Sequence, residues 1–141
     1  MREIVFDIET NGLNPSKVWL VWVYERDTDK YVLFSADTVS AFSQYIKDMG
    51  ECRVIGHNII DFDIPVCERL LATDFSKCSV SDTLVMSRLA APSRDGGHSL
   101  GSWGERLGFP KGEHDDWDNF TQDMVEYGKQ DVRVNELVYK R

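Results

Sequence analysis

The sequence predicts an α/β domain in which helices flank one mixed β-sheet. Strand-like segments dominate the chain up to residue 34, and helices alternate with strands after that point. The chain has 141 residues, of which 42 % are hydrophobic. This length is near the commonest domain size and is sufficient for one hydrophobic core. We therefore expect residues 1–141 to form a single domain.

Four strands are predicted from short runs rich in β-branched, aromatic and other apolar residues. Turn formers at residues 10–15 follow the first strand, and the polar turn at 27–30 joins the second and third strands into an antiparallel hairpin. The predicted strands cover residues 2–8, 17–25, 31–34 and 53–57.

Five helices are predicted from apolar residues three or four positions apart and from their end signals. Gly50, Pro92 and Gly108 are stop signals, and Thr121 opens the last helix. The predicted helices cover residues 38–49, 62–72, 82–91, 99–108 and 121–140. Residues 93–98 and 110–119 lack periodicity and are predicted to be surface loops, with the acidic stretch 115–118 exposed to solvent.

Composition restricts the class of function. The chain has 16 lysine and arginine residues against 24 aspartate and glutamate residues, and its formal net charge is −8. Such a chain is not expected to hold nucleic acid mainly through a basic surface, although it can present carboxylates to metal ions. Short apolar runs and the lack of a signal-peptide pattern predict a soluble, cytoplasmic protein without a membrane partner. The three cysteines lack zinc-type spacing and are expected to be free thiols.

Acidic residues occur where the hydrophobic pattern predicts the interior. Asp7 lies within the first strand, and Glu9 points to the same side because strand side chains alternate. Neighbouring carboxylates repel each other unless a cation lies between them. The alternative interpretation is that both acids are solvated at the end of the strand.

Asp131 falls on an otherwise apolar stripe of the last helix that begins at Tyr127. An isolated buried carboxylate costs several kcal/mol, so this acid is expected to be paired, protonated or bound to a metal. Alternatively, Asp131 meets Lys129 or Arg133 at the edge of the helix, or the stripe is rotated.

The segment from Asn58 to Asp63 follows a short strand and opens a helix. Asp61 and Asp63 are suited to the positive end of the helix dipole. The alternative is that the junction directs Asp63 towards the other acids, because ligands collect where strands of open α/β sheets lead into helices.

Together, Asp7, Glu9, Asp63 and Asp131 form the kind of oxygen-ligand set that two Mg²⁺ or Mn²⁺ ions require. Such a pair activates water for attack on a phosphodiester and stabilises the leaving oxygen. Tyr127 is a poor base at neutral pH, since the pKa of free tyrosine is about 10, but it can orient the attacking water.

These residues resemble the three motifs of the DEDDy 3′→5′ exonucleases. Asp7-Ile8-Glu9-Thr10 resembles the first motif, Asn58 to Asp63 the second, and Tyr127-Gly128-Lys129-Gln130-Asp131 the third. Residues 81–89 and 98–108 look like further parts of the proofreading domain of family A DNA polymerases, above all those of T-seven-like bacteriophages.

The resemblance implies a ribonuclease H-like fold, two divalent metal ions, and release of nucleoside 5′-monophosphates from the 3′ end of DNA, with single strands or frayed ends preferred. It also implies that Asp7, Glu9 and Asp131 bind the first metal ion and that Asp7 bridges to the second near Asp63. Tyr127 completes the expected catalytic set.

Four residues are expected to bind the nucleic acid: Thr10, Leu13, Asn58 and Phe62. Leu13 would act as a wedge against the terminal bases, as a leucine does at this offset in the family. The alternative is that Leu13 anchors its turn on the core.

The chain ends at Arg141, directly after the third motif, so it is expected to be a free-standing exonuclease or a fragment of a polymerase. We expect a monomer that acts on single-stranded DNA 3′ ends, with a separate DNA polymerase as a partner. Two other functions stay open: an RNA exonuclease of the ribonuclease D type, because the motifs do not distinguish the sugar, and a non-catalytic subunit that docks a polymerase.

Overall fold

The computed structural model describes residues 2–90, 97–100, 103, 117 and 120–140. These residues form one five-stranded sheet in the order β3-β2-β1-β4-β5. Its β1–β2 and β2–β3 pairs are antiparallel, and its β1–β4 and β4–β5 pairs are parallel. The strands are β1 (Arg2–Thr10), β2 (Val18–Glu25), β3 (Lys30–Phe34), β4 (Cys52–Gly56) and β5 (Cys78–Asp82). The predicted α/β class with a mixed sheet is confirmed.

Helices of the described residues are α1 (Ala41–Met49), α2 (Ile64–Leu71), α3 (Thr83–Ala90) and α4 (Gln122–Lys140). A π-helical turn, Ile59–Asp63, precedes α2. Leu100 and Trp103 are helical, and the other residues of the predicted helix 99–108 lie largely outside the described ranges, as do most of both predicted loops. Within the described ranges, no helix has the length and apolar character needed to cross a bilayer.

The central strand β1 divides its side chains between two apolar clusters. Ile4, Phe6 and Ile8 belong to the cluster that contacts α1 and α2, whereas Val5 belongs to the cluster that contains Met124 of α4. Because side chains alternate along a strand, Asp7 and Glu9 share the α4 side of β1 with Val5. The strand also runs two residues further than predicted, to Thr10, so both acids lie within the sheet.

The predicted helix 82–91 is wrong at its start, and strand β5 before it was not predicted. Asp82 ends β5, and α3 begins at Thr83. The strand lies at an edge of the sheet, and its first four residues are partly or fully exposed. It therefore lacks the apolar alternation that reveals a strand in a sequence, and its pairing with β4 defines it instead. The boundaries of strands β1 to β4 and of helices α1, α2 and α4 differ from the predicted ones by three residues or fewer.

No disulfide joins the three cysteines, as expected. Cys52 and Cys78 face each other on β4 and β5, with their Sγ atoms 3.4 Å apart. Burial raises the pKa of the Cys78 thiol to about 12, and it also raises the pKa of the Cys67 thiol. Both thiols are therefore protonated at neutral pH.

Candidate metal centre and nucleotide clefts

Three carboxylates from β1 and α4 meet on one side of the sheet. Ligand atoms of Asp7, Glu9 and Asp131 all lie within 4.8 Å of one another. Glu9 is 5 % exposed and Asp131 is 4 % exposed. Burial therefore excludes a solvated Glu9 and a rotated stripe on the last helix, whereas Asp7 is only partly buried. The structure brings these three predicted residues together, while their roles as metal ligands stay a prediction.

Gly128 allows α4 to approach the sheet closely enough for this convergence. A Cβ atom at this position would lie 2.8 Å from Trp22 Cδ1 and 3.3 Å from Glu9 Cγ. The indole N–H of Trp22 donates a hydrogen bond of 2.7 Å to the carbonyl of Val125, which fixes the same part of the helix on β2. Asp131, less than one turn after Gly128, is thereby held beside Glu9.

Asp63 reaches the site from the chain segment that follows β4. The β1–β4 ladder ends at the pair Val5 and Ile55, whereas β1 continues to Thr10. Beyond the ladder, the backbone N–H of Ile8 donates a hydrogen bond of 3.3 Å to Asp63 Oδ2. Asp63 is 5 % exposed and makes no side-chain hydrogen bond that caps α2. The geometry thus favours the interpretation in which Asp63 faces the other acids.

Burial and mutual repulsion raise the pKa values of two of these acids. For Glu9, burial is the main cause, and the charge of Asp7 is the next largest. Burial and the charge of Asp7 likewise raise the pKa of Asp63, against the lowering effect of the hydrogen bond from Ile8. Among the described residues, Glu9 Oε1 is buried and accepts no hydrogen bond. This donor set fits a divalent cation, which prefers oxygen ligands and removes the repulsion.

An apolar cleft of about 310 Å³ adjoins Glu9 and is lined by Thr10, Leu13, Phe62 and Trp117 among others. Leu13 is 96 % exposed, so it does not anchor its turn in the core. The hydroxyl of Thr10 donates a hydrogen bond of 2.8 Å to the carbonyl of Gly12, which shapes the turn that carries Leu13. Three of the four predicted nucleic-acid-binding residues therefore line one cleft.

Trp117 also lines this cleft, although it was not predicted to belong to the site. The stretch 115–118 was interpreted as a solvated loop, and for Trp117 that interpretation is wrong. The residue is partly buried, and its carbonyl accepts a hydrogen bond of 2.9 Å from the Trp19 indole. Its ring meets the ring of Tyr127 edge-on, with 5.5 Å between the centroids. The only signal in the sequence is an aromatic residue in an otherwise acidic stretch.

A polar cleft of about 430 Å³ contains Asp7 and Asp131 and is also lined by Asn58, whose contact with the nucleic acid stays a prediction. Arg88 and His98 also line this cleft, although neither was predicted to belong to the site. Arg88 is exposed and supplies a positive charge next to the acidic cluster. The carboxylates therefore lie between a polar and an apolar cleft.

No protein-family model matches the chain. In sequence, the chain is similar to the DNA-directed DNA polymerase of Escherichia phage T7, with 28 % identity over 187 aligned positions that cover 98 % of this chain and 26 % of that protein. The corresponding polymerase of Enterobacteria phage T3 is 24 % identical over 185 positions, with the same coverage. The chain thus spans about a quarter of the length of these polymerases.

Solved structures share the fold. Trypanosoma brucei RNase D matches with a TM-score of 0.76 and 18 % identity, over 99 % of this chain and 56 % of that chain. Brucella melitensis NrnC, whose structure contains bound Mg²⁺, matches with a TM-score of 0.70 and 22 % identity, over 99 % of this chain and 72 % of that chain. These likenesses concern the fold, and they confirm the predicted ribonuclease H-like arrangement.

Proposed function

We propose that this chain is a metal-dependent 3′→5′ exonuclease domain of the DEDDy type, which releases nucleoside 5′-monophosphates from DNA 3′ ends. The observation that carries the proposal is the convergence of Asp7, Glu9 and Asp131, whose ligand atoms lie within 4.8 Å of one another. The sequence similarity to two phage DNA polymerases supports DNA as the substrate. The shared fold of RNase D and NrnC is consistent with a nuclease.

Asp7, Glu9 and Asp131 would hold one Mg²⁺ or Mn²⁺ ion, and Asp7 with Asp63 would hold a second. Divalent ions bound there would lower the pKa of an attacking water and would stabilise the charge on the leaving oxygen. The fit rests on a set of carboxylate oxygens and on the buried Glu9 Oε1, which accepts no hydrogen bond among the described residues. Burial also keeps the repulsion strong until cations bind.

The other residues of the site orient the substrate. The hydroxyl of Tyr127, on the helix that carries Asp131, would hold the attacking water, and the edge-on contact with Trp117 restrains the Tyr127 ring. Leu13, Phe62 and Trp117 offer apolar surface to the terminal base, and Thr10 shapes the turn that presents Leu13. Asn58 lines the polar cleft and would contact the terminal nucleotide.

Single-stranded or frayed ends are the preferred substrate in this proposal. Stacking a base on an aromatic side chain such as Phe62 or Trp117 contributes about 1–3 kcal/mol, whereas taking a base out of a duplex costs a few kcal/mol. With a net charge of −8, the chain has little long-range attraction for a duplex. We propose that it works as one monomeric domain alongside a DNA polymerase, either separate or covalently joined, in the cytoplasm of a phage-infected bacterium.

The test compares the release of mononucleotides from a 3′-labelled single strand of DNA and from an RNA of the same sequence, with Mg²⁺ or with EDTA. We expect release from DNA only when Mg²⁺ is present. Asp7→Ala should lower this rate by several orders of magnitude, because it removes a carboxylate that would hold both metal ions. The exposed Asp61 provides a control, since Asp61→Asn should keep full activity.

Three outcomes separate the candidate functions. Faster release from RNA would replace the proposal with a ribonuclease D-type activity. No release from either strand by the wild-type chain with Mg²⁺ or Mn²⁺ would refute it and favour a non-catalytic docking subunit. An active Asp7→Ala variant would refute the assignment of the metal ligands.

A further inference from the structure

We propose that Asp82 and Thr83, at the junction of β5 and α3, are positioning residues that set the placement of Asp63 and Asp131 relative to each other. This inference rests on the proposed function, because the acids it concerns are the proposed metal ligands. Asp82 holds the segment that leads to Asp63, and Thr83 holds the helix that carries Asp131.

The Asp82 carboxylate accepts three hydrogen bonds, and all three come from main-chain N–H groups. Oδ1 accepts hydrogen bonds of 2.9 Å from the N–H groups of Asn58 and Leu84, and Oδ2 accepts one of 3.0 Å from Ile60. The residue is 4 % exposed. Bonds from N–H groups to a buried carboxylate are stronger than neutral ones, so this junction and the Asn58 segment form a rigid pair.

The segment that Asp82 holds has an unusual backbone. Asn58 is in the left-handed conformation, with φ 62° and ψ 29°, and the π-helical turn from Ile59 to Asp63 follows directly. Asparagine adopts the left-handed conformation more readily than most residues other than glycine, and a π-helical turn is rare. Asp82 holds this backbone on both sides of Ile59, whose side chain is fully buried. The end of this turn sets where the Asp63 carboxylate lies.

Thr83 makes the corresponding connection to α4. Its hydroxyl accepts a hydrogen bond of 2.9 Å from Asn135 Nδ2, donates one of 3.2 Å to the carbonyl of Gly56, and lies 2.8 Å from His57 Nδ1. Thr83 is 1 % exposed and Asn135 is 2 % exposed. Asn135 is four residues after Asp131, on the same side of the helix. One hydroxyl therefore ties α4 to the end of β4.

The two connections meet at adjacent residues, so a shift of one proposed ligand relative to the other requires this junction to break. Metal sites tolerate displacements of only about 0.5 Å in their ligands. Loss of an outer contact that orients a ligand typically lowers metal affinity by about 10–100-fold. We expect effects of that size from two variants. Asp82→Asn places an amide N–H against a main-chain N–H, so one hydrogen bond is lost. Thr83→Val removes the hydroxyl but keeps the shape of the side chain.

The experiment measures Mn²⁺ affinity calorimetrically on the full chain, together with the melting temperature in EDTA. Thr83→Ser keeps the hydroxyl that Thr83→Val removes, and it should therefore retain wild-type Mn²⁺ affinity. Ser81→Ala is the matched control, because Ser81 lies on the same strand and accepts a hydrogen bond of 2.8 Å from Arg53, which pairs with Glu3 near the start of β1. Asp82→Asn and Thr83→Val should each weaken Mn²⁺ binding by about 10–100-fold, and the other two variants should match the wild type.

A lower melting temperature in EDTA with wild-type Mn²⁺ affinity in both Asp82→Asn and Thr83→Val would overturn the proposal, since the junction would then serve only the fold. If Asp82→Asn does not fold, the comparison of Thr83→Val with Thr83→Ser decides. If the wild type binds Mn²⁺ and degrades DNA, and Asp82→Asn and Thr83→Val bind Mn²⁺ equally well, only the positioning role is refuted. A wild-type chain that binds no Mn²⁺ refutes the proposed function itself.

Discussion

The hydroxyl oxygen of Tyr127 is the single atom whose removal has the clearest expected effect on the rate. Its ring meets Trp117 edge-on, and its hydroxyl belongs to the proposed catalytic set without being a proposed metal ligand. We expect Tyr127→Phe to lower the single-turnover rate by about 10–1000-fold and to leave Mn²⁺ affinity nearly unchanged, because it removes a group that orients water. Loss of Mn²⁺ binding in a folded Tyr127→Phe variant would contradict this role.

Tyr24→Phe is the matched control for that substitution. The Tyr24 hydroxyl lies 2.6 Å from Asp29 Oδ1, at the hairpin between β2 and β3. We expect its loss to leave both the rate and the metal affinity at the wild-type values.

The side chain of Leu13 is 96 % exposed and lines the apolar cleft. We expect Leu13→Ala to weaken binding of single-stranded DNA several-fold, with little dependence on sequence, because any base can stack on an apolar side chain. The melting temperature should not change. The measurement compares single strands, mismatched ends and matched duplexes, and the wild type should degrade the first two faster than the third.

Leu89→Ala tests whether any exposed leucine has the same effect, since Leu89 is 79 % exposed on α3. It should bind DNA like the wild type. Equal losses on all three substrates by Leu13→Ala, together with a lower melting temperature, would show that Leu13 supports the fold rather than the substrate.

At the scale of elements, the seating of α4 on the sheet depends on Gly128. Replacing glycine by alanine within a helix is ordinarily stabilising by about 1 kcal/mol. Here the added Cβ would lie 2.8 Å from Trp22 Cδ1 and 3.3 Å from Glu9 Cγ, so the helix or these side chains must shift. We expect Gly128→Ala to lower the rate about 10–100-fold and to weaken Mn²⁺ binding, because small displacements of catalytic groups are costly. Kinetics and calorimetry measure both.

Glu126→Ala, at an exposed position on the same helix, controls for changes in helix propensity. It should leave both measurements unchanged. If Gly128→Ala retains wild-type rate and affinity, the close approach at Gly128 does not position the acids.

The elements that the sequence predicts are those whose own residues carry the signal. Strand β1 and helix α4 have regular apolar patterns, and the acids within them stand out because charge is unexpected there. Strand β5 could not be predicted, since it is a partly exposed edge strand defined by its pairing with β4. The π-helical turn depends on Asp82, which binds backbone groups more than 20 residues earlier in the chain.

The same distinction applies to the site. Asp7, Glu9 and Asp131 stand out in the sequence because each breaks a local pattern, and the structure brings their ligand atoms within 4.8 Å of one another. Trp117 was missed because its significance lies in a contact with Tyr127 through space. Asp82 was missed because an acid after a polar strand breaks no pattern. Sequence patterns thus reveal residues that conflict with their element, but they do not reveal residues that hold other elements in place.

At the scale of the whole molecule, the acidic cluster links stability to pH. The pKa values of Glu9 and Asp63 are raised by burial and by the charge of Asp7. A folded chain without metal therefore retains protons that the unfolded chain loses. Stability is highest below the unfolded pKa values, which are near 4, and falls as pH rises towards the raised values in the folded chain. Glu25, with a lowered pKa, acts in the opposite direction but at more acidic pH.

We expect the melting temperature in EDTA to fall as pH rises from about 4.5 towards neutral, since the unfolded chain releases protons that the buried carboxyl groups of the folded chain retain. Mn²⁺ should reverse the trend, because it binds the ionised form of the folded chain. Asp63→Asn should raise the melting temperature in EDTA at neutral pH and flatten its pH dependence, whereas Asp61→Asn, at an exposed site two residues away, should follow the wild type. The measurement is thermal unfolding by circular dichroism at each pH. Equal behaviour of the two variants would show that repulsion in the buried cluster does not control the stability of the metal-free chain.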